Sequence, residues 1–158
     1  MKNILFFFLF YLSPMCVFAL DRTEIIFPKD KITVQTQMGA AEFNVELAIT
    51  PQQQAHGLMW RYEMPMDAGM LFIFSGEKII QMWMKNTPLP LDMVFFDKTG
   101  TVTHVIERTK PYREDVLSSE KPAMGVLEVN AGTVPLYNIR PGDKIIFNTG
   151  SLLEKNND

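Results

Sequence analysis

The sequence predicts a small, mainly β domain, a barrel-like or half-closed sheet of about eight short strands with one or two short helices. Three observations predict it. Apolar and polar residues alternate with period two in several short runs. Turn-forming residues separate those runs at close intervals. The one helical stretch of any length starts at a clear cap and is flanked by strand patterns.

Residues 31–36 and 42–48 form the first strand pair, joined near Met38-Gly39-Ala40, with Phe43, Val45 and Leu47 on one face. Thr50 then caps a helix, with Pro51 at its first position, where a missing N–H and a fixed φ cost nothing. The helix runs over 52–60, and Gly57 either lets it approach the sheet closely or ends it early. Residues 70–74 and 79–85 pair across a turn at Ser75-Gly76. Residues 91–97 and 101–108 form a hairpin across Asp97-Lys98-Thr99-Gly100, the clearest turn signal in the chain. The polar stretch 107–122, with two prolines, reads as a long loop. Strands at 124–130 and 144–148 complete the set, with a second helical turn at 133–137 before Pro141-Gly142-Asp143. Residues 154–158 read as a disordered tail.

The N-terminus reads as a signal peptide over 1–19. Lys2 is its single charge, 4–12 is an apolar run too short to span a bilayer, and Val17-Phe18-Ala19 sets small residues for cleavage after Ala19. The alternative is an uncleaved N-terminal anchor. Cleavage leaves one domain over 20–153, in the periplasm of a bacterium or secreted. It also removes Cys16, the single cysteine, so the expected mature chain has neither thiol nor disulfide. Loss of Lys2 takes the formal charge from −3 to −4. That acidic balance, without basic clusters, argues against nucleic acid and anionic membrane as partners.

Chemistry-bearing groups concentrate in Gln81-Met82-Trp83-Met84-Lys85-Asn86-Thr87-Pro88-Leu89-Pro90-Leu91-Asp92. Strand alternation puts Met82 and Met84 on one face and Trp83 on the other. Lys85, Asn86 and Thr87 then converge at the strand end beside the indole. An aromatic with convergent polar groups suits a small polar ligand, a glycan or a peptide. The expected ligand site is a groove of Arg61, Trp83, Lys85, Asn86, Thr87, Asp92 and Glu128. Asp92 precedes an apolar strand, so it is either exposed or buried with a partner, for which Arg61 and Lys85 are the candidates. Glu128, in Val126-Leu127-Glu128-Val129, is equally ambiguous.

An enzyme is the weaker expectation. A cell-envelope hydrolase would use Asp92 or Glu128 as base. His56 and His104 stand alone without zinc spacing, no nucleophile motif is present, and no Gly-rich phosphate loop follows a strand. Cu(I) on the thioethers of Met82 and Met84, with Met59 or Met70, is a third reading. Against it, Met is an adaptable core filler, and no metal or cofactor is assigned.

Ordered motifs also carry a resemblance. They are Gly57-Leu58-Met59-x-Arg61, Gly69-Met70-Leu71-Phe72, Trp83-Met84-Lys85-Asn86-Thr87, Pro90-Leu91-Asp92, Leu127-Glu128 with Ala131-Gly132 following, and Gly142-Asp143. On these the sequence resembles the bacterial and archaeal domain of unknown function family 192 over about residues 32–148. The resemblance implies a small, mainly β domain with a helix, often exported, and no established activity. Met59, Met70 and Met84 belong to the motifs, whereas Met82 does not.

Overall fold

A computed structural model describes residues 25–147. The signal segment with Cys16, and the C-terminal tail, lie outside the described residues. Nine strands and two short helices follow in the order β1 (Lys29–Thr36), β2 (Gly39–Ala48), α1 (Pro51–His56), β3 (Ala68–Lys78), β4 (Gln81–Met82), β5 (Leu91–Phe96), β6 (Val102–Ile106), β7 (Leu117–Ser118), β8 (Ala123–Asn130), α2 (Thr133–Tyr137) and β9 (Lys144–Ile146). Seven strands form one curled sheet in the order β6-β5-β8-β3-β2-β1-β9, and β4 with β7 forms a second, small one. The mainly β, half-barrel expectation holds.

The curl brings the two ends of the large sheet together. Thr101, just before β6, bridges Lys144 of β9. The Ile145 N–H donates to the Gly100 carbonyl at 2.8 Å, and the Val102 N–H to that of Asp143 at 2.8 Å. Gly100 permits this approach, since it has φ +77° and a Cβ there would sit 2.3 Å from the Ile145 oxygen. The preceding turn is held by Asp97, whose Oδ1 accepts from the Thr99 and Thr101 N–H groups.

The sheet has two apolar sides. Inside the curl, alternate residues of β1 and β2 (Ile32, Val34, Phe43, Val45, Leu47) meet Leu71, Val94, Phe96 and Leu127. On the outer side of β3, β8 and β5, a second layer contains Met70, Phe72, Met93, Phe95 and Val126, roofed by Leu58, Ile80, Met84 and Leu89. The double cover explains why all six residues of β5 are buried while β1 alternates.

Two expectations need correction. Residues 70–74 and 79–85 do not form a hairpin. β3 runs on through Ser75-Gly76 and pairs with β2 in parallel and with β8 antiparallel, its register shifting between Ile73 and Lys78. The Ser-Gly pair marks a bulge rather than a turn. The strand expected at 79–85 shrinks to β4, whose partner β7 lies inside the stretch expected to be a loop. The parallel β2–β3 pairing requires a crossover, and α1 lies within it.

Candidate functional site

The cap of α1 forms as its residues require. The Thr50 hydroxyl accepts from the Gln53 N–H, and the Gln53 side chain accepts from the Thr50 N–H at 2.9 Å. Gly57 ends the helix at φ +50°, where a Cβ would lie 3.1 Å from Cζ of Phe72. Both roles expected of this glycine are therefore real. The Gln54 amide donates to the Ile73 carbonyl at 2.7 Å, tying the helix to β3.

The segment after β4 is a turn rather than a strand end. The Met84 N–H donates to the Arg113 carbonyl at 2.8 Å, and the Thr87 N–H to that of Met84 at 3.1 Å. Asn86 adopts φ +53°, a conformation that asparagine tolerates, and its carbonyl accepts from the Trp60 N–H at 2.8 Å. Alternation fails once the strand stops. Met82 and Trp83 both line one pocket, whereas Met84 is buried in the outer layer with its Sδ 3.2 Å from the Thr109 hydroxyl. The expectation that Met82 and Met84 share a face is thus overturned.

The pocket has a volume of about 240 Å³. The end of α1 supplies His56, Gly57 and Met59, β3 supplies Phe72 and Phe74, and the turn supplies Lys85 and Thr87. Trp83 is half exposed at the rim, with the Lys85 ammonium 5.3 Å from its ring centroid. Glu128 lines the same pocket from β8. It stands opposite Met70 on β3 and Met93 on β5, within the outer apolar layer. Glu128 is only 4% exposed, and its carboxyl makes no hydrogen bond or ion pair among the described residues. Burial pushes its carboxyl from an ordinary 4.5 up to about 8.

Of the seven residues expected at the site, four meet here: Trp83, Lys85, Thr87 and Glu128. Asn86 shapes the turn, its amide nitrogen 3.8 Å from Sδ of Met59. Arg61 lies elsewhere. It pairs with Glu46, stacks over Phe27 at 5.8 Å and lines a separate pocket. Asp92 is on the inner side of the sheet and fully buried. Its partners are neither Arg61 nor Lys85 but three backbone N–H groups, of Arg108 at 2.8 Å, Gly132 at 2.9 Å and Val134 at 2.8 Å. Donors left over at the start of α2 explain the last two. Asp92 and Glu128 thus face opposite sides of the sheet and cannot act on one substrate as an acid–base pair. Of the other lining residues, Met59 entered the expectations only as a possible thioether ligand, and His56, Phe72 and Phe74 were not expected at a ligand site. Their one sequence signal was Gly57, which brings the helix end down onto Phe72.

No group of three or more His, Cys, Asp or Glu residues that could hold a metal ion occurs among the described residues. No helix among them is long and apolar enough to cross a membrane.

Proteins of known structure to which the chain is similar include the following two. One, from Sinorhizobium meliloti 1021 and designated a candidate transcription regulator, is 41% identical, with 78% of this chain and 96% of that chain covered at a TM-score of 0.76. The other, a protein of unknown function from Novosphingobium aromaticivorans DSM 12444, is 35% identical, with 75% and 85% covered at a TM-score of 0.74. No curated protein matches. The profile of family DUF192, "Uncharacterized ACR", matches residues 32–147, nearly all of the described fold. The chain belongs to this family.

Proposed function

We propose that this protein is an exported binding module for a small polar ligand, a glycan or a peptide, and that its site is the pocket between Trp83 and Glu128. The observation that carries this reading is the unpartnered, buried carboxyl of Glu128 within an open pocket. A polar group costs free energy when buried without a partner, so a fold that retains one inside an apolar layer leaves room for a ligand to complete it. Lys85 and Trp83 at the rim add a cation and an aromatic face, which fits a ligand with both polar and apolar surface.

Cu(I) is the second reading. Met59 and Met82 both line this pocket, and thioethers select that ion. Nucleic acid, which the designation of the Sinorhizobium protein would suggest, is not favoured. The formal net charge is −3, and Lys31, Arg61, Lys98 and Arg113 each lie against a carboxylate rather than forming a basic stripe.

Thermal unfolding against envelope sugars, short peptides and metals, Cu(I) included, tests the reading. A ligand of the folded state raises the midpoint by mass action. The expected result is a shift with a polar organic ligand that disappears in Trp83→Ala. A shift with Cu(I) alone, lost in Met59→Leu/Met82→Leu, would replace the first reading with the second. A flat panel with folded protein would reject both.

A further inference from the structure

The pocket holds two ionisable groups, Glu128 and Lys85, that make no ion pair among the described residues. Glu128 has no cation within ion-pair distance among the described residues. Lys85 has no carboxylate partner among them and rests on the Trp83 ring instead. Several cations elsewhere do pair, Lys31 with Glu42, Lys98 with Glu77 and Arg113 with Asp115, while Lys78 rests on the Phe74 ring as Lys85 does on Trp83. Of the two groups, Glu128 is buried within the pocket and Lys85 is at its rim. The rest of the lining is mixed, with Met59, Met82 and Phe72 as apolar members beside Gln54, Gln81 and Thr87.

We propose that the pocket takes a small dipolar ligand, an ammonium or guanidinium joined by a short apolar chain to an acid group, with the cation on Glu128 and the acid on Lys85. The inference rests on the binding function proposed above and narrows its ligand. The volume of about 240 Å³ is below the range of roughly 300–1,000 Å³ usual for drug-sized ligands, so the ligand is one small molecule or one side chain. A cation seated on a desolvated carboxylate makes the stronger, charge-assisted kind of hydrogen bond. Methylene groups of the linking chain cover Phe72 and the two thioethers, which leaves both polar ends satisfied.

This assignment has a proton signature. The free carboxyl holds its proton near neutral pH, because burial has pushed it up to about 8. Seating a cation ionises it, so the carboxyl O–H bond breaks and the proton passes to buffer while the ligand keeps its charge. The titratable groups facing Glu128 across the pocket are His56 from the end of α1 and Lys85 from the turn. β3 and β5 bring only Met70, Phe72, Phe74 and Met93.

Isothermal titration calorimetry at about pH 6.5, in two buffers of different ionisation enthalpy, reads that proton directly. The probes are glycine, 4-aminobutanoate, 6-aminohexanoate and 4-guanidinobutanoate, each beside its N-acylated form, and one neutral disaccharide. The expected result is binding that peaks at one chain length, with release of about one proton per ligand. N-acylation should weaken it about tenfold or more. Glu128→Gln, verified folded by circular dichroism, should abolish proton release. Lys85→Met should weaken binding about tenfold and leave proton release intact. Equal affinity of the acylated forms, or proton release that persists in Glu128→Gln, would overturn the inference. Disaccharide binding that needs Trp83, with no amino acid bound, would overturn it while leaving the binding function standing. Binding of nothing in either panel would remove both.

Discussion

Asp92 and Glu128 are buried carboxylates on neighbouring strands, one residue apart in register and on opposite sides of one sheet. Asp92, inside the curl, accepts from three backbone N–H groups that α2 and the chain after β6 bring to it. Glu128, on the outer side, has no partner among the described residues and opens onto a pocket. The same chemical group is therefore a clasp on one side and an unfinished contact on the other. What separates them is whether the backbone leaves free donors nearby. Carboxylates satisfied by amides hold a fold together, and an unsatisfied one costs it stability unless something else arrives.

Removing the clasp should have the largest effect. Asp92→Ala strands three buried N–H groups and should cost on the order of 4 kcal/mol in urea unfolding, with Asp92→Asn costing less. An unchanged midpoint would mean those amides have other partners, and the contrast between the two sides would collapse.

Glu128→Gln should act in the opposite direction. A carboxyl raised from 4.5 to about 8 binds its proton more tightly when folded. Below pH 4.5 both states are protonated and burial of the neutral group is free of this penalty. Stability then falls as pH rises from 4.5 and levels off above about 8. The glutamine variant lacks this slope, so it should match wild type at pH 4 and exceed it by roughly 3 kcal/mol at pH 7. Denaturation curves at several pH values check this, and a variant less stable at every pH would point to a hidden partner for Glu128.

Two smaller effects sharpen the comparison at the pocket wall. Gly57→Ala strains a left-handed backbone and presses on Phe72, and should cost about 1–2 kcal/mol. Trp83→Ala should shift stability by no more than about 0.5 kcal/mol, since the ring is half exposed. Its effect belongs in ligand affinity. A large stability loss in Trp83→Ala would make the indole a structural residue.

The alternation of Phe43, Val45 and Leu47 made β2 legible, and Asp97-Lys98-Thr99-Gly100 made the β5–β6 hairpin legible, because both signals are local. Thr50-Pro51 likewise fixed the start of α1. Ser75-Gly76 misled, since a bulge and a turn draw on the same residues and only the distant partner β8 tells them apart. The grouping of residues around the candidate pocket was legible in part. Density of polar groups pointed to Trp83, Lys85 and Thr87, which lie on one short turn. Arg61 lies outside this pocket because its partner Glu46 is on β2, and Asp92 because its partners are main-chain groups that leave no mark in side-chain chemistry. Nothing in Val126-Leu127-Glu128-Val129 says which side of the sheet the carboxyl faces. Register against Met70 and Met93 decides that.

Burial that pushes the carboxyl up to about 8 leaves Glu128 protonated and unpartnered in the free pocket at neutral pH. Carbon-13 NMR of its side-chain carboxyl, followed through a pH titration and assigned by loss of the signal in Glu128→Gln, tests it most directly. The expected midpoint is about 8, falling when a cationic ligand is added. A midpoint near the ordinary value of 4.5 would show a solvated or paired carboxylate, with no protonated group waiting in the free pocket.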